Sequence, residues 1–152
     1  MRKGDIGLTD LLNESSVKKS DPRVMALAHM DEFMAALGLA KLKTGIKDLE
    51  VLREYLGGVM ALAAGLNADL SPNAVDFIET KTAELEKEVQ PPAQFVPLDK
   101  NENQAALNIA RAKCRTAEVY LTALSLPETD AARFINRCSR YLFLLCLKQE
   151  NL

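Results

Sequence analysis

Apolar residues recur at helical spacing through most of this chain, and charge interrupts the pattern at a few informative places. Asp21-Pro22 reads as an N-cap followed by proline at the first helical position; this helix continues to about Lys43 and ends at Thr44-Gly45. A second helix is predicted over roughly 46–66, where the Gly57-Gly58 pair either weakens it locally or lets a neighbour approach closely. Ser71-Pro72 opens a third over roughly 73–89, and its charged run from Thr80 to Glu88 reads as a solvated face. Pro91, Pro92 and Pro97 make 90–99 an extended connector with Phe95 exposed at its centre. A fourth helix is predicted over roughly 102–124, broken by Leu126-Pro127, and a fifth over roughly 131–149, capped by Thr129 or Asp130. Residues 1–20 are polar and read as loop, and no window alternates as a strand does. Long helices with short joints predict an all-α, up-and-down five-helix bundle built as one domain, 1–152. The fifth helix is apolar over a wide arc (Phe134, Ile135, Leu142, Phe143, Leu145, Cys146), which predicts a central position or contact with another subunit.

Within that pattern, charge falls on apolar stripes. Asp31 interrupts Val24, Leu27, Met34 and Gly38 on the first helix. Arg111 and Glu118 interrupt Leu107, Cys114 and Leu121 on the fourth, with Arg115 one turn after Arg111. A buried carboxylate is costly unless paired, so Asp31 is expected to be buried against Arg111. Arg111, Arg115 and Glu118 share one helical face, which Asn108 and Thr122 extend as polar; Asn136 and Ser139 form a polar stripe on the fifth helix. These are either intrahelical salt bridges of little energetic weight or an anion site whose rigid guanidinium forks meet a phosphate.

Composition narrows the chemistry. The net charge of −2 argues against a general nucleic-acid or anionic-membrane binder, so any anion site must be a local cluster. Cys114, Cys138 and Cys146 lie in apolar helical patterns with no Cys-x-x-Cys, as reduced core cysteines of a cytoplasmic protein do. No metal site is expected: His29 is the single histidine, and Ala26 stands where a Glu-x-x-His di-iron motif needs glutamate. His29 reads as a structural or interface residue, and one histidine does not assemble a Ser–His or Cys–His nucleophile. The segment from Met1 to Thr9 has no apolar run of the kind a secretory signal needs, and no stretch is apolar enough for a membrane span. Gly4 and Gly7 free backbone N–H groups to approach phosphate, with Lys3 and Thr9 beside them, although no Walker A loop follows.

Several segments, in order, resemble the trimeric, propanediol-utilisation type of ATP:cob(I)alamin adenosyltransferases. Gly4-Asp5-Ile6-Gly7-Leu8-Thr9 is similar to that family's Thr-Gly-Asp-x-Gly-Thr-Thr. Asp21-Pro22-Arg23-Val24 resembles Asp-Pro-Arg-Val, and Met30-Asp31-Glu32-Phe33 resembles Val-Asp-Glu-Leu. Ala110-Arg111 with Cys114-Arg115-Thr116-Ala117-Glu118 resembles Ala-Arg-x-x-Cys-Arg-Arg-Ala-Glu. Asn136-Arg137-Cys138-Ser139-Arg140-Tyr141-Leu142-Phe143 resembles Asn-Arg-Leu-Ser-Asp-Tyr-Leu-Phe.

The resemblance implies a homotrimer with ATP and corrinoid sites between subunits, Mg²⁺ accompanying ATP, and transfer of the 5′-deoxyadenosyl group of ATP to cob(I)alamin with release of triphosphate. It implies Arg111, Arg115 and Asp31 as the catalytic set, with both arginines on ATP phosphates and Asp31 holding Arg111. It assigns Lys3, Gly4, Asp5, Gly7, Thr9, Lys19, Glu118 and Asn136 to the nucleotide, and Phe95 to the corrinoid. There the ring displaces the lower axial ligand and excludes water. The chain departs from the pattern at Lys3, Ile6, Leu8, Ser16, Asp99, Lys100, Thr116, Val119 and Arg140, mostly in the nucleotide and corrinoid loops. Those departures leave open a catalytically impaired paralogue that binds corrinoid or nucleotide as a carrier, sensor or assembly partner.

Overall fold

The computed structural model describes residues 1–66, 68–126 and 129–151. Five helices follow one another: α1 (Pro22–Thr44), α2 (Asp48–Ala63), α3 (Asn73–Glu88), α4 (Glu102–Leu121) and α5 (Asp130–Lys148). Local chemistry explains most boundaries. The Asp21 carboxylate accepts from the Arg23 N–H at 2.9 Å beside Pro22, and Gly45 ends α1 at φ 68°, where a glycine is needed. Asn101 caps α4 through the Gln104 N–H, and Thr129 caps α5 through the Ala132 N–H. Pro127 lies outside the described residues. Helices α2 and α4 end about one turn earlier than their apolar patterns suggest, because 64–66 and 122–124 tighten into turns.

The helices lie side by side in the order α2, α1, α4, α5, α3. Tyr55 closes the layer by meeting Phe77 of α3 at 5.6 Å and the edge of Phe134 of α5 at 5.9 Å between ring centroids. Of the two positions its wide apolar arc allows, α5 takes the central one: Phe134, Ile135, Cys138, Tyr141, Leu142 and Cys146 are all buried. Gln104 is buried too, and its polar atoms are used. Its Nε2 donates to the Cys146 carbonyl at 3.0 Å and its Oε1 accepts from the Lys100 N–H at 2.9 Å, which ties the start of α4 to the end of α5. The Gly58 site is a close approach, since a Cβ there would lie 3.3 Å from Leu70 Cδ1.

Two expectations fail. Residues 1–20 are not plain loop: β1 (Leu8–Leu11) and β2 (Glu14–Lys18) pair as an antiparallel hairpin, preceded by one short helical turn at Lys3–Ile6. The hairpin carries a bulge where Ser16 adopts φ 57°, and the Asp10 carboxylate accepts from the Ser16 N–H at 2.8 Å to hold it. The buried line of α1 is Ala26, Met30, Phe33, Leu37 and Ala40, one position away from the stripe through Asp31. Asp31 is therefore exposed. The physical reason is that α1 is apolar almost all round, with Met25, Leu39 and Leu42 also exposed, so spacing alone does not select the buried face.

Candidate active site

On α4 the buried line is Leu107, Ala110, Cys114, Ala117 and Leu121. Arg111, Arg115 and Glu118 flank it, half-exposed or exposed, and so present their heads beside the core rather than in it. On α5, Asn136, Ser139, Arg140 and Phe143 follow at three- and four-residue steps along the facing side. The connector after α3 then brings Gln94, Phe95, Val96 and Leu98 across the opening. The connector and α5 residues, with Arg111 and Arg115 but not Glu118, line a cavity of about 450 Å³. Phe95, Arg111, Arg115 and Asn136, widely separated in sequence, meet here. Phe95 is 94% exposed, so its ring is offered to whatever enters.

Arg111 is not held by Asp31. Within one chain its Nε donates to Asn108 Oδ1, one turn earlier, at 2.9 Å. Among the described residues, the ion pairs from α1 to α4 are Lys113–Glu32 at 3.0 Å and Lys43–Glu102 at 3.1 Å. Asn108 orients one nitrogen of the fork and leaves the other two for an anion.

A second, smaller cavity of about 280 Å³ adjoins the first. Glu118, Thr122, Arg133 and Asn136 supply its polar atoms, and Val59, Leu121, Leu126 and Ile135 its apolar wall. Asn136 belongs to both cavities, so a ligand spanning them would pass it. An apolar slot beside an arginine-lined opening suits a flat base joined to a phosphate chain.

The glycine-bearing N-terminus stands elsewhere. Lys3, Gly4, Asp5, Gly7, Thr9 and Lys19 line neither cavity. Thr9 and Lys19 instead face α1 around Val24, Met25, Ala28 and His29. Their polar groups satisfy one another: Lys3 Nζ donates to Asp10 at 2.9 Å, Lys19 Nζ to the Gly4 carbonyl at 3.1 Å, and the Arg2 N–H to Asp5 at 2.9 Å. The Ser16 N–H, and then Lys3, hold the Asp10 carboxyl below its ordinary range. Arg23 clamps the hairpin to α1 by bonding Asp21 and Glu14 at once.

The remaining candidates are structural. His29 stacks on Tyr120 with ring centroids 4.0 Å apart. The three cysteines are free and buried. Burial pushes the Cys138 thiol well up and the Cys146 thiol to about 12, so neither is a ready nucleophile. Among the described residues no group of His, Cys, Asp or Glu is arranged to hold a metal, and no helix is long and apolar enough to cross a membrane. Ser139 joins the cavity from the polar stripe it shares with Asn136, and Arg140 and Phe143 complete it without having been singled out as ligand contacts. Their signal was their spacing from Asn136 along one helix face.

Comparison with known proteins identifies the family. A family model described as cobalamin adenosyltransferase matches residues 1–149. A corrinoid adenosyltransferase of Citrobacter freundii is 30% identical, over 98% of this chain and 93% of its own length. The mouse corrinoid adenosyltransferase MMAB is 27% identical, over 92% of this chain and 67% of its own length. The corrinoid adenosyltransferase PduO of Salmonella typhimurium is 27% identical over 99% of this chain, which spans about half (49%) of that protein. Among solved structures, a variant PduO-type ATP:corrinoid adenosyltransferase from Lactobacillus reuteri, complexed with cobalamin and ATP, has the same fold. Its TM-score is 0.83 at 23% identity, covering 97% of this chain and 88% of that one. A model match over nearly the whole chain and a full-length relative at 30% identity lead to one conclusion: this chain belongs to the cobalamin adenosyltransferase family.

Proposed function

We propose that this protein transfers the 5′-deoxyadenosyl group of ATP to cob(I)alamin, with the cavity between α4, α5 and the 90–99 connector as the reaction chamber. The observation that carries this reading is the meeting of Phe95, Arg111, Arg115 and Asn136 in one opening. The cobalt(I) lone pair attacks C5′ of ATP, a cobalt–carbon bond forms, and the C5′–O5′ bond breaks with its electron pair leaving on triphosphate. No side-chain nucleophile and no proton transfer are required. The protein has to stabilise the charge that grows on the leaving triphosphate and to align C5′ with cobalt. Arg111 and Arg115 take the first task. Phe95 takes the second, covering the lower face of the corrin ring and keeping water and the lower axial ligand away from cobalt. Glu118 and Asn136 hold the nucleoside at the junction of the two cavities. Mg²⁺ enters as part of the nucleotide, since it keeps several waters and is held largely by phosphates.

The N-terminal groups Lys3, Gly4, Asp5, Gly7, Thr9 and Lys19 then act on ATP from a second copy, in a cytoplasmic homotrimer of single-domain chains. Two features support that arrangement. These groups lie apart from the arginine cavity of their own chain. Exposed apolar residues on α1 and α4, Leu42 at 81% and Val119 at 65% with Leu39 and Ile109, offer a face for a neighbour. On this reading Asp31, exposed on α1, pairs with Arg111 of the adjacent copy rather than with its own.

The test is to mix the protein anaerobically with ATP, Mg²⁺ and chemically reduced cobalamin and follow the visible spectrum. The light-sensitive spectrum of adenosylcobalamin is the expected product. Binding of ATP or corrinoid without that product would replace this reading by the impaired paralogue.

A further inference from the structure

Arg140 differs from the other cations that α5 sends toward α3. Arg137 reaches Glu79 at 2.6 Å and Lys148 reaches Glu88 at 2.7 Å, which makes each a close rung between the two helices. Arg140 reaches Glu86 at 3.2 Å, and both of its contacts, from Nη2 and from Nε at 3.4 Å, go to the same oxygen, Oε1. A guanidinium carries five N–H donors, so most of the Arg140 fork is left over. Of these three cations Arg140 alone lines the Phe95 cavity.

Its place within the cavity matters. Helix α5 lies between α3 and α4. Glu86 draws the Arg140 head toward α3, the side from which the Phe95 connector departs, while Arg111 and Arg115 rise from α4. The cavity therefore has cations on two walls and no carboxylate among its described lining residues. On the proposed reading, the α4 wall receives the triphosphate. The α3 wall, beside Phe95, then awaits a second anion. Cobalamin carries one such group: the phosphodiester of its nucleotide tail, since the side chains around the corrin ring are neutral amides. A ring seated on Phe95 with its lower ligand displaced leaves the tail on the Phe95 side.

We propose that Arg140 binds the phosphodiester of the corrinoid's nucleotide tail, so that the site distinguishes a complete corrinoid from one without the tail. This rests on the adenosyltransferase reading. Cobinamide has the same corrin ring and no phosphodiester, which makes it the natural probe. With ATP saturating, Arg140→Ala is expected to raise KM for cob(I)alamin about fivefold, a size set by a half-exposed charge pair, and to leave KM for cob(I)inamide and for ATP unchanged. Arg137→Ala removes the neighbouring α5–α3 rung to Glu79 without touching the cavity, and it should not raise KM for cobalamin.

A rise in KM for ATP instead would assign Arg140 to the triphosphate and overturn the proposal. Equal shifts for both corrinoids, or the same defect in Arg137→Ala, would make it a structural rung and overturn it as well. Equilibrium binding of hydroxocobalamin and cobinamide, read by protein fluorescence, separates the two readings. If the wild type does not turn over yet prefers cobalamin in an Arg140-dependent way, the adenosyltransferase reading fails and this one stands. If neither corrinoid binds, both fail.

Discussion

The α4–α5 cavity and the N-terminal hairpin are assigned to one reaction, and they are built in opposite ways. The cavity is set by helices whose inner faces are fully buried, so Arg111, Arg115 and Asn136 are placed by the same packing that holds the core together. Among the described residues Arg111 is steadied by Asn108 and Arg140 by Glu86. The hairpin has almost no core, with Val17 as its buried residue, and its charges are spent on one another. One region is rigid and electrostatically unsatisfied; the other is internally satisfied and held to the bundle mainly by Arg23 and by the Asn13 contact with the Gly65 carbonyl. A rigid half can bind first and a lightly attached half can close on what is bound, as loops over catalytic scaffolds often do.

The largest effect expected from this contrast is on turnover. Arg111→Ala removes a charge aimed at the leaving triphosphate and should lower kcat by 10²-fold or more, about 2.7 kcal/mol in barrier. Because Arg111 flanks the core, the melting temperature should hardly move. A matching loss of stability would show that the cavity is not as separable from the core as its burial suggests. Next in size is Phe134→Ala, which empties a fully buried site between α2 and α5 and should cost about 3–5 kcal/mol on denaturant unfolding. A small cost there would remove the claim that packing presets the cavity.

Subunit mixing probes the contrast directly. Lys19→Ala in the hairpin and Arg111→Ala in the cavity should each be inactive alone. Coexpressed, they should recover activity at about a quarter of the sites if each site takes its two halves from different copies, as a closed ring of identical subunits would arrange. No recovery would return both halves to one chain and contradict the proposed trimeric site.

The smallest effect concerns pH. The Asp10 carboxyl is held below its ordinary range by the Ser16 N–H and by Lys3. A depressed folded pKa stabilises above the unfolded value, about 3.9, and that stabilisation is lost as pH falls through the folded value. The protection factor of the Ser16 amide, its exchange rate divided into the intrinsic rate at the same pH, should therefore be highest at neutral pH and fall only in acid, while Phe134 and its neighbours on α5 stay protected. A protection factor at Ser16 that ignores acid would show that the bulge does not depend on Asp10.

Legibility from sequence divides along the same line. Helix starts at Asp21-Pro22 and Thr129 were readable because capping is a local contact between residues two or three apart. The central position of α5 was readable because its apolar arc is wide. The hairpin was not readable: Leu8 pairs with Lys18 across a polar sequence, and the bulge at Ser16 breaks the alternation that marks a strand. The burial of Asp31 was misread for the reason that made α1 easy to recognise as a helix. Apolar residues surround it, and a pattern present on every side does not say which side faces the core.

What the sequence determined by itself is therefore the set of helices, the reduced buried cysteines and the family motifs, all of which depend on residue type and short spacing. What only the tertiary structure decided is which of those residues share a space. It brought Phe95 to Arg111 and Arg115, added Arg140 on the opposite wall, gave Arg111 to Asn108, and left Asp31 and the hairpin facing outward. Those outcomes depend on how α5 seats between α3 and α4, and that is decided by summed burial over many side chains rather than by any local signal.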